Sequence, residues 1–262
     1  MDFTYGQAVL IGFIQGITEL FPISSLGHAI LIPAWIGGSF GEFISEENEA
    51  YLLITIAMHL ASSVALFLVF RKRWICLISG AVQAVVSKNF QSTSFRVLSY
   101  IVIATIPVGI LGLAFGDYFQ SIFGKPQYSA LFLTLNGLLL ITAERLSRRD
   151  ITAELQDSDA EIDRRVSAKT AVAIGFGQSL ALFAGISRFG VTMSAGLLRK
   201  LNHSVASDFA FLLSLPVIVG ASIIKLPELF TTSANELLGQ ILLGSVISFI
   251  ATYISVTFLV RW

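Results

Sequence analysis

Two short segments of the chain hold polar side chains that could carry chemistry in an otherwise apolar sequence. In the first, Gln15 and Glu19 lie four positions apart, which places them on one face of a helix. Ser24 and Ser25 follow in a turn where either hydroxyl can cap the next helix, and His28 lies one turn into that helix. A carboxylate, hydroxyl groups and an imidazole are the groups that nucleophilic attack and proton transfer near neutral pH require.

The second segment offers an arginine instead of a carboxylate. Ser187 takes the same capping position, Arg188 comes next, and Thr192 lies about one turn further on. Arginine presents a planar fork of donors that fits phosphate oxygens, and free N–H groups at a helix N-terminus also attract anions. Because an unpaired charge at the bilayer centre costs ~2.5–3.5 kcal/mol, we expect Glu19 and Arg188 to lie at one depth, paired or holding a ligand. The two segments predict a phosphate pocket whose substrate-binding residues are Gln15, Ser24, Gln178, Ser187 and Thr192.

The two segments are copies of one pattern. Residues 8–27 and 171–190 align without a gap, and both interrupt an apolar stretch with a small polar turn. The identical pairs are Ala8/Ala171, Val9/Val172, Ile11/Ile174, Gly12/Gly175, Phe13/Phe176, Gln15/Gln178, Ile23/Ile186, Ser24/Ser187 and Gly27/Gly190. Interrupted apolar segments at matching places in two halves of a membrane protein indicate a binding site where the repeats meet.

The composition is typical of an integral membrane protein. Hydrophobic residues make up 55% of the chain and charged residues 13%, and the mean hydropathy is +0.79. The net charge of zero gives no indication of a nucleic-acid partner, and the single cysteine, Cys76, excludes an internal disulfide bond. Apolar runs long enough to cross about 30 Å of hydrocarbon lie at about 51–70, 97–115, 128–144, 205–226 and 236–260.

Four other stretches do not fit a full span. The repeat segments, about 4–36 and 169–200, are expected to form helical hairpins that break within the membrane. The short piece 75–87 follows basic residues and is expected to form an interfacial or partly inserted helix rather than a span. The polar stretch 145–169 is expected to form a solvated loop.

Positive charge predicts the orientation of the spans, because Lys and Arg collect on the cytoplasmic side. Basic clusters lie at 71–73, 145–149, 164–169 and 199–200, whereas 40–50 holds four glutamates and no basic residue. With the basic clusters inside, each hairpin enters and leaves on one face, and the two faces are opposite. The predicted fold is therefore an all-α integral membrane protein, a polytopic helical bundle with an inverted-topology repeat and two re-entrant helical hairpins. If each segment instead crossed the bilayer twice, the polar turns would lie at a surface.

The residues around both turns resemble the undecaprenyl-diphosphatase (bacitracin-resistance) family. The matching text is QGITELFPISSLGH at 15–28, AGISRFGVTMSAGLL at 184–198 and FAFLLSLPVIVGA at 209–221. The resemblance implies an enzyme that removes the terminal phosphate of the C55 isoprenoid diphosphate carrier of bacterial cell-wall synthesis, with a divalent cation. It also implies catalytic roles for Glu19, Ser25, His28 and Arg188, with Glu19 the candidate ligand of Mg²⁺ or Ca²⁺.

Several positions depart from the family pattern. Gln15 stands where the family often has glutamate, so the cation would need Glu19 together with substrate phosphates and waters. Phe189 replaces a serine and removes one possible hydroxyl contact, and Ala184 replaces a proline. We expect one transmembrane domain: repeat one at about 1–144, a cytoplasmic loop at about 145–168, and repeat two at about 169–262 without the family's last helix. The polar residues outside the repeats are expected to be structural, namely His59, Asn136, His203 and Asp208.

The sequence thus predicts a phosphatase of the bacterial plasma membrane whose active site opens toward the extracytoplasmic side. Arg188 and nearby N–H groups bind the phosphoryl group, Glu19 holds a cation or orients water, and His28 transfers a proton. Ser25 is the nucleophile if a covalent step exists, and direct attack by water is the alternative. Two other functions stay open: a flippase that moves the lipid phosphate without hydrolysis, and a catalytically silent lipid-binding relative. A homodimer is also compatible with the sequence.

Overall fold

Helices make up the architecture. The computed structural model describes residues 3–43, 49–147, 158–225, 227 and 236–261, and every regular element in these ranges is helical. The α-helices are α1 Tyr5–Thr18, α2 Ser25–Ile36, α3 Gly38–Phe43, α4 Glu49–Val86, α5 Thr93–Ala114, α6 Gly116–Ile122, α7 Pro126–Ser147, α8 Ser158–Arg165, α9 Ala168–Ser179, α10 Arg188–Leu198, α11 His203–Lys225 and α12 Leu238–Arg261. A 3₁₀ turn, Leu180–Leu182, follows α9.

Four helices are long and apolar enough to cross a membrane: α4, α5, α11 and α12. They correspond to the predicted spans at 51–70, 97–115, 205–226 and 236–260, so the all-α, multi-pass membrane fold is confirmed. The predicted span at 128–144 forms the 22-residue helix α7, which is not one of these four.

Helix α4 corrects one prediction. Residues 75–87 are not a separate interfacial piece, because α4 continues without a break to Val86 and is 38 residues long, about 57 Å at 1.5 Å per residue. No proline interrupts this stretch, and Leu77 within it is buried against the core. The basic residues that follow the span are accommodated because Arg73 pairs with Asp159 at 2.6 Å.

Helix α8 corrects a second prediction. Part of the stretch 145–169 is not a solvated loop but a helix that packs against α5 and α11. Ile162 on this helix is fully buried, and Asp163 forms an ion pair of 2.8 Å with Arg96 of α5. The charges that predicted solvation therefore dock the helix instead. Residues 148–157 of the predicted loop lie outside the described residues.

The two repeat segments pack crosswise in the bundle. Helix α1 lies against α12, and α9, which carries the equivalent residues, lies against α5. Gly12 and Gly175 hold equivalent positions at these contacts. A methyl group at Gly12 would collide with the carbonyl oxygen of Gly244, and one at Gly175 would lie 2.5 Å from the carbonyl oxygen of Ala104. Small residues let membrane helices approach closely, so these glycines allow α1 to pack against α12 and α9 to pack against α5.

Candidate active site

Each repeat segment folds as a helix, a turn and a second helix. We name the turns elbow one (residues 19–28) and elbow two (residues 182–191), which are equivalent positions of the repeat. In elbow one, Ser24 has a φ of 66°, and its Oγ accepts a hydrogen bond from the N–H of Gly27 at 3.2 Å. In elbow two, Ser187 caps α10 in the same way through a bond of 3.1 Å to the N–H three residues on. The predicted capping by these serines is confirmed.

The two elbows lie against each other. A Cβ atom at Gly27 of elbow one would lie 2.9 Å from the Cα of Gly185 in elbow two. Reciprocally, a Cβ atom at Gly190 would lie 3.2 Å from the Cβ of Pro22. The starts of α2 and α10 are thereby brought to one place.

Asn136 of α7 joins the two elbows. Its Nδ2 donates to the carbonyl oxygen of Pro22 at 2.9 Å, and its Oδ1 accepts from the backbone N–H of Ser187 at 2.9 Å. The side chain is buried, so this pair of bonds is shielded from competing solvent. The structural role predicted for Asn136 fits this position.

The carboxylate of Glu19 lies at the centre of the contact between the elbows. Its Oε1 accepts from Nη2 of Arg188 at 2.5 Å, across the two elbows. Its Oε2 accepts from Oγ of Ser25 at 2.6 Å and from Nε2 of Gln15 at 2.7 Å. The side chain of Glu19 is 2% exposed and that of Arg188 18% exposed. The expected pairing of Glu19 with Arg188 is confirmed.

Burial makes this pair costly to break. Taking an ion out of water costs several kcal/mol even after relaxation, and here the hydrogen-bond donors around Glu19 offset that cost. Removing one partner of a buried ion pair typically costs about 3–5 kcal/mol, because the other charge stays behind unpaired. The arrangement therefore holds Arg188 and Glu19 in fixed positions before any ligand arrives.

A cavity of about 260 Å³ opens beside the ion pair. Apolar side chains form much of its wall, among them Leu52, Val108 and Phe123. Its polar lining consists of Glu19, Ser24, Ser25, Thr55, His59, Gln178, Ser187, Arg188, Ser222 and Lys225. A polar end with a guanidinium group and an apolar wall suits an amphiphile that carries an anionic head on a hydrocarbon chain.

Six of the nine predicted site residues line this cavity: Glu19, Ser24, Ser25, Gln178, Ser187 and Arg188. Gln15 contacts Glu19 without lining the cavity. Thr192 is buried away from the cavity, and its Oγ1 has no hydrogen-bond partner. His28 does not line the cavity either, and its Nδ1 lies 2.8 Å from the carbonyl oxygen of Ser24, one turn back in its own helix.

His59 is the residue of this cavity that the sequence prediction assigned to structure alone. Its Nε2 lies 3.4 Å from Oε2 of Glu19, and its Nδ1 lies 2.8 Å from the carbonyl oxygen of Thr55. The prediction relied on the repeats, and His59 lies outside both. An ionisable side chain in the middle of an apolar span is a functional candidate by itself, and that signal could have found His59.

The remaining residues predicted to be structural lie away from the cavity. Asp208 accepts a hydrogen bond from Ser158 of α8 and lies 3.7 Å from Arg73. His203 lies 2.9 Å from a carboxylate oxygen of Glu144 on α7. Both contacts join helices to each other and are compatible with that prediction.

The side chains of this site do not fit a divalent cation held by the protein alone. Glu19 is the only carboxylate among the lining residues, and both of its oxygens already accept hydrogen bonds from strong donors. Among the described residues, no group of three or more His, Cys, Asp or Glu side chains could hold a metal ion. Mg²⁺ and Ca²⁺ take about six or more oxygen ligands. A cation bound to Glu19, as the sequence predicted, would need its other ligands from outside the protein.

Fold and site define a class: a polytopic α-helical membrane protein with a buried carboxylate–guanidinium pair beside a cavity that is polar at one end and apolar along its wall. The family model described as bacitracin resistance protein BacA matches residues 8–262, and the chain belongs to this family. It is 39% identical to undecaprenyl-diphosphatase 2 of Frankia alni, over 100% of this chain and 92% of that protein. It is also 39% identical to the undecaprenyl-diphosphatase of Mycolicibacterium paratuberculosis, over 99% of this chain and 90% of that protein. Undecaprenyl-diphosphatase 2 of Chromobacterium violaceum is 34% identical, over 98% of this chain and 88% of that protein. The family expected from the two turn motifs is confirmed.

Proposed function

We propose that this protein hydrolyses undecaprenyl diphosphate to undecaprenyl phosphate and inorganic phosphate in the plasma membrane of a bacterium. The observation that carries the proposal is the contact of Glu19 with both Arg188 and Ser25 at the polar end of an apolar cavity. Relatives of 39% identity over nearly the whole chain bear the name of this activity. The product is the carrier that cell-wall synthesis reuses, and the same activity would confer the bacitracin resistance for which the family is named.

The terminal phosphoryl group binds at the start of α10. Arg188 presents its guanidinium group to the cavity, where it can neutralise phosphate oxygens and the charge that develops on them in the transition state. The helix starts at Ser25 and Arg188 add backbone N–H groups and the positive ends of two helix dipoles. The pairing of Arg188 with Glu19 fixes the direction in which the guanidinium group points.

Ser25 is the nucleophile in this mechanism, and Glu19 is its base. The 2.6 Å bond from Oγ of Ser25 to Oε2 of Glu19 favours this route over direct attack by water, because it already directs the hydroxyl proton to the carboxylate. A bond forms between Oγ and the terminal phosphorus, and the bond from that phosphorus to the bridging oxygen breaks. Undecaprenyl phosphate leaves, and water then cleaves the phosphoserine to release inorganic phosphate.

Gln178 supplies hydrogen bonds to the substrate. Its side chain is fully buried and lines the cavity, and neither amide atom has a hydrogen-bond partner. The equivalent residue Gln15 bonds to Glu19, whereas the position equivalent to Glu19 in elbow two holds Leu182, which offers no partner. A buried amide without a partner costs about 1–3 kcal/mol, so a ligand that satisfies it gains affinity.

The active site opens toward the extracytoplasmic side. On α4, His59 in the cavity precedes the basic cluster 71–73 by 12 residues, about 18 Å along the helix. That basic end contacts α8 through the pair of Arg73 with Asp159. Since basic clusters favour the cytoplasm, the cavity lies toward the other membrane face.

Two re-entrant hairpins carry the site. Helices α1 and α2 are 14 and 12 residues long, and α9 and α10 are 12 and 11 residues long. These lengths fall short of the ~20 residues that cross the hydrocarbon core. The crosswise packing of α1 on α12 and of α9 on α5 also favours an inverted repeat.

A divalent cation, if the reaction uses one, comes to the site with the diphosphate. The substrate's phosphate oxygens and waters would supply the ligands that the protein side chains lack. No step above depends on it. Measuring the rate of phosphate release in Mg²⁺, in Ca²⁺ and in EDTA tests this proposal. If the cation arrives with the diphosphate, its effect on the rate should grow as the substrate fills the site.

A phosphate-release assay tests the proposed function. Purified protein in detergent is given an isoprenoid diphosphate, and inorganic phosphate is measured with the Glu19→Gln variant as the control. The proposal predicts one phosphate per diphosphate from the wild-type protein and none above background from the variant. In vesicles, transfer of lipid between leaflets without phosphate release would support the flippase and contradict hydrolysis. Binding with neither activity would support a silent relative.

A further inference from the structure

We propose that His59 is the general acid–base group of the phosphoryl transfer, the role that the family resemblance assigns to His28. This inference rests on the proposed hydrolysis and names a further catalytic residue for it. It is carried by the position of the imidazole, which lines the cavity and faces Oε2 of Glu19.

The surroundings of His59 fix which ring nitrogen faces the cavity. Nδ1 lies 2.8 Å from the carbonyl oxygen of Thr55, an acceptor that requires a hydrogen on that nitrogen. Nε2 is therefore the atom that gains and loses a proton, and it lies 3.4 Å from Oε2 of Glu19. The side chain of His59 is 19% exposed, so a ligand in the cavity can reach it.

The contact between His59 and Glu19 places an imidazole nitrogen against a carboxylate oxygen. An ionised carboxylate and an imidazole lone pair repel each other, whereas a proton on Nε2 turns the contact into a charge-assisted one. The other charged groups of the cavity are Arg188 on α10 and Lys225 on α11, and α5 contributes only the apolar Val108. Helix α12, which also packs against α4, meets it with the hydroxyls of Ser248 and Thr252.

The proton balance closes over two half-reactions. In the first, Ser25 gives its proton to Glu19 as it attacks, and His59 gives its Nε2 proton to the bridging oxygen that leaves with undecaprenyl phosphate. In the second, water attacks the phosphoserine and gives its proton to Nε2 of the now neutral His59. Glu19 returns its proton to Oγ of Ser25 as inorganic phosphate departs. The cycle consumes one water and restores every protein group.

His28 is placed less well for these steps. Its Nδ1 bonds to the carbonyl oxygen of Ser24 as that of His59 bonds to Thr55, but His28 lies outside the cavity lining and His59 lies within it. The bond to Ser24 ties the imidazole to the first turn of α2 and supports the turn that presents Ser25. His28 is therefore a positioning residue in this arrangement.

The test is a pH profile of phosphate release for matched histidine variants. In His59→Gln, an amide replaces the imidazole and keeps a donor near Glu19 but cannot titrate. We expect kcat to fall about 10²-fold or more, with KM changed little, because general acid–base catalysis contributes about 10²–10⁴-fold. The wild-type protein needs a protonated His59 to begin the reaction, so its kcat/KM should fall as pH rises. The variant should lose that fall.

Two variants serve as controls. His203→Gln changes an imidazole that lies far from the cavity, and we expect its kcat and pH profile to match the wild type. His28→Gln should keep the wild-type dependence on pH, whatever its effect on kcat. A His59→Gln variant that keeps the fall at high pH would overturn the inference.

A second measurement uses the wild-type protein and does not depend on folding of a variant. Diethyl pyrocarbonate modifies accessible imidazole groups, and mass spectrometry locates the adducts. Inorganic pyrophosphate should protect His59 and leave His203 reactive. Equal modification of His59 with and without pyrophosphate would overturn the inference. Absence of phosphate release from the wild type would refute the hydrolysis itself, whereas an active wild type with an unaffected His59→Gln variant would refute only this assignment.

Discussion

Elbow one and elbow two share a serine cap and a close glycine contact, and they differ in their charged and nucleophilic side chains. Both begin a helix with a serine cap, and both place a glycine against the other elbow. Three of the differences concern residues with reactive or charged side chains: Glu19 corresponds to Leu182, Ser25 to Arg188 and His28 to Val191. In the proposed mechanism, elbow one supplies the base and the nucleophile, and elbow two supplies the guanidinium group.

The divergence leaves a single ion pair between the elbows. Glu19 and Arg188 lie at positions of the repeat that are not equivalent, and their counterparts Leu182 and Ser25 carry no charge. A buried ion pair is costly to form, so one pair with additional hydrogen bonds around Glu19 is favoured over two. The repeat thus provides two converging helix starts, and the differences between their side chains place the ion pair where they meet.

The largest expected effect on activity comes from removing the guanidinium group of Arg188 in elbow two. Arg188→Ala should lower kcat/KM for phosphate release about 10³–10⁵-fold, the range that a transition-state arginine supplies in phosphoryl transfer. Arg188→Lys should recover part of the loss, because a lysine keeps the charge without the planar fork. Arg199→Ala, an exposed residue past the end of α10, is the matched control. Wild-type rates in Arg188→Ala would remove elbow two from the chemistry.

Removing the nucleophile of elbow one should have the next largest effect. Ser25→Ala should lower phosphate release by about 10³-fold or more and abolish the phosphoserine intermediate. Rapid quenching with a substrate labelled in its terminal phosphate measures that intermediate directly. Ser79→Ala, on the exposed part of α4, should behave like the wild type. An active Ser25→Ala variant would assign the attack to water.

The equivalent residues Gln15 and Gln178 should have smaller effects on the kinetics, and the effects should differ between the two elbows. Gln178→Leu should raise KM about 10-fold, since one hydrogen bond to a charged ligand contributes about 1.5 kcal/mol. Gln15→Leu should act on kcat instead, because its amide bonds to Glu19 and does not line the cavity. Steady-state kinetics of both variants decide this. Equal effects on KM would mean that the two positions are equivalent in function.

The smallest effect concerns the shared scaffold. Ser187→Ala should lower the free energy of unfolding by about 1 kcal/mol through loss of the cap on α10. A thermal-shift measurement in detergent, with the exposed Ser121→Ala as its control, reports this change. A stability change of several kcal/mol would show that the hydroxyl does more than cap the helix.

Sequence reasoning predicted the parts of the site that lie within the two repeat segments. Periodicity and matching turns located both elbows, their caps and the pair of Glu19 with Arg188. It missed His59, because a single histidine on a long span reaches the site only through packing of α4 beside elbow one. It also predicted a separate interfacial helix at 75–87, whereas α4 continues to Val86. The preceding basic residues gave no indication that Arg73 pairs with Asp159 on α8, which is distant in sequence.

Cross-linking tests whether the two elbows meet in the membrane, the contact on which the site depends. The variant combines Pro22→Cys and Gly190→Cys with replacement of the single native cysteine, Cys76→Ser, and is oxidised mildly in native membranes. The Cβ positions of the pair lie 3.2 Å apart, close to the distance that a disulfide bond spans. We predict efficient formation of an intramolecular disulfide, and none when Gly109→Cys replaces Gly190→Cys. A pair that stays reduced while the membranes remain active in phosphate release would show that the elbows do not meet.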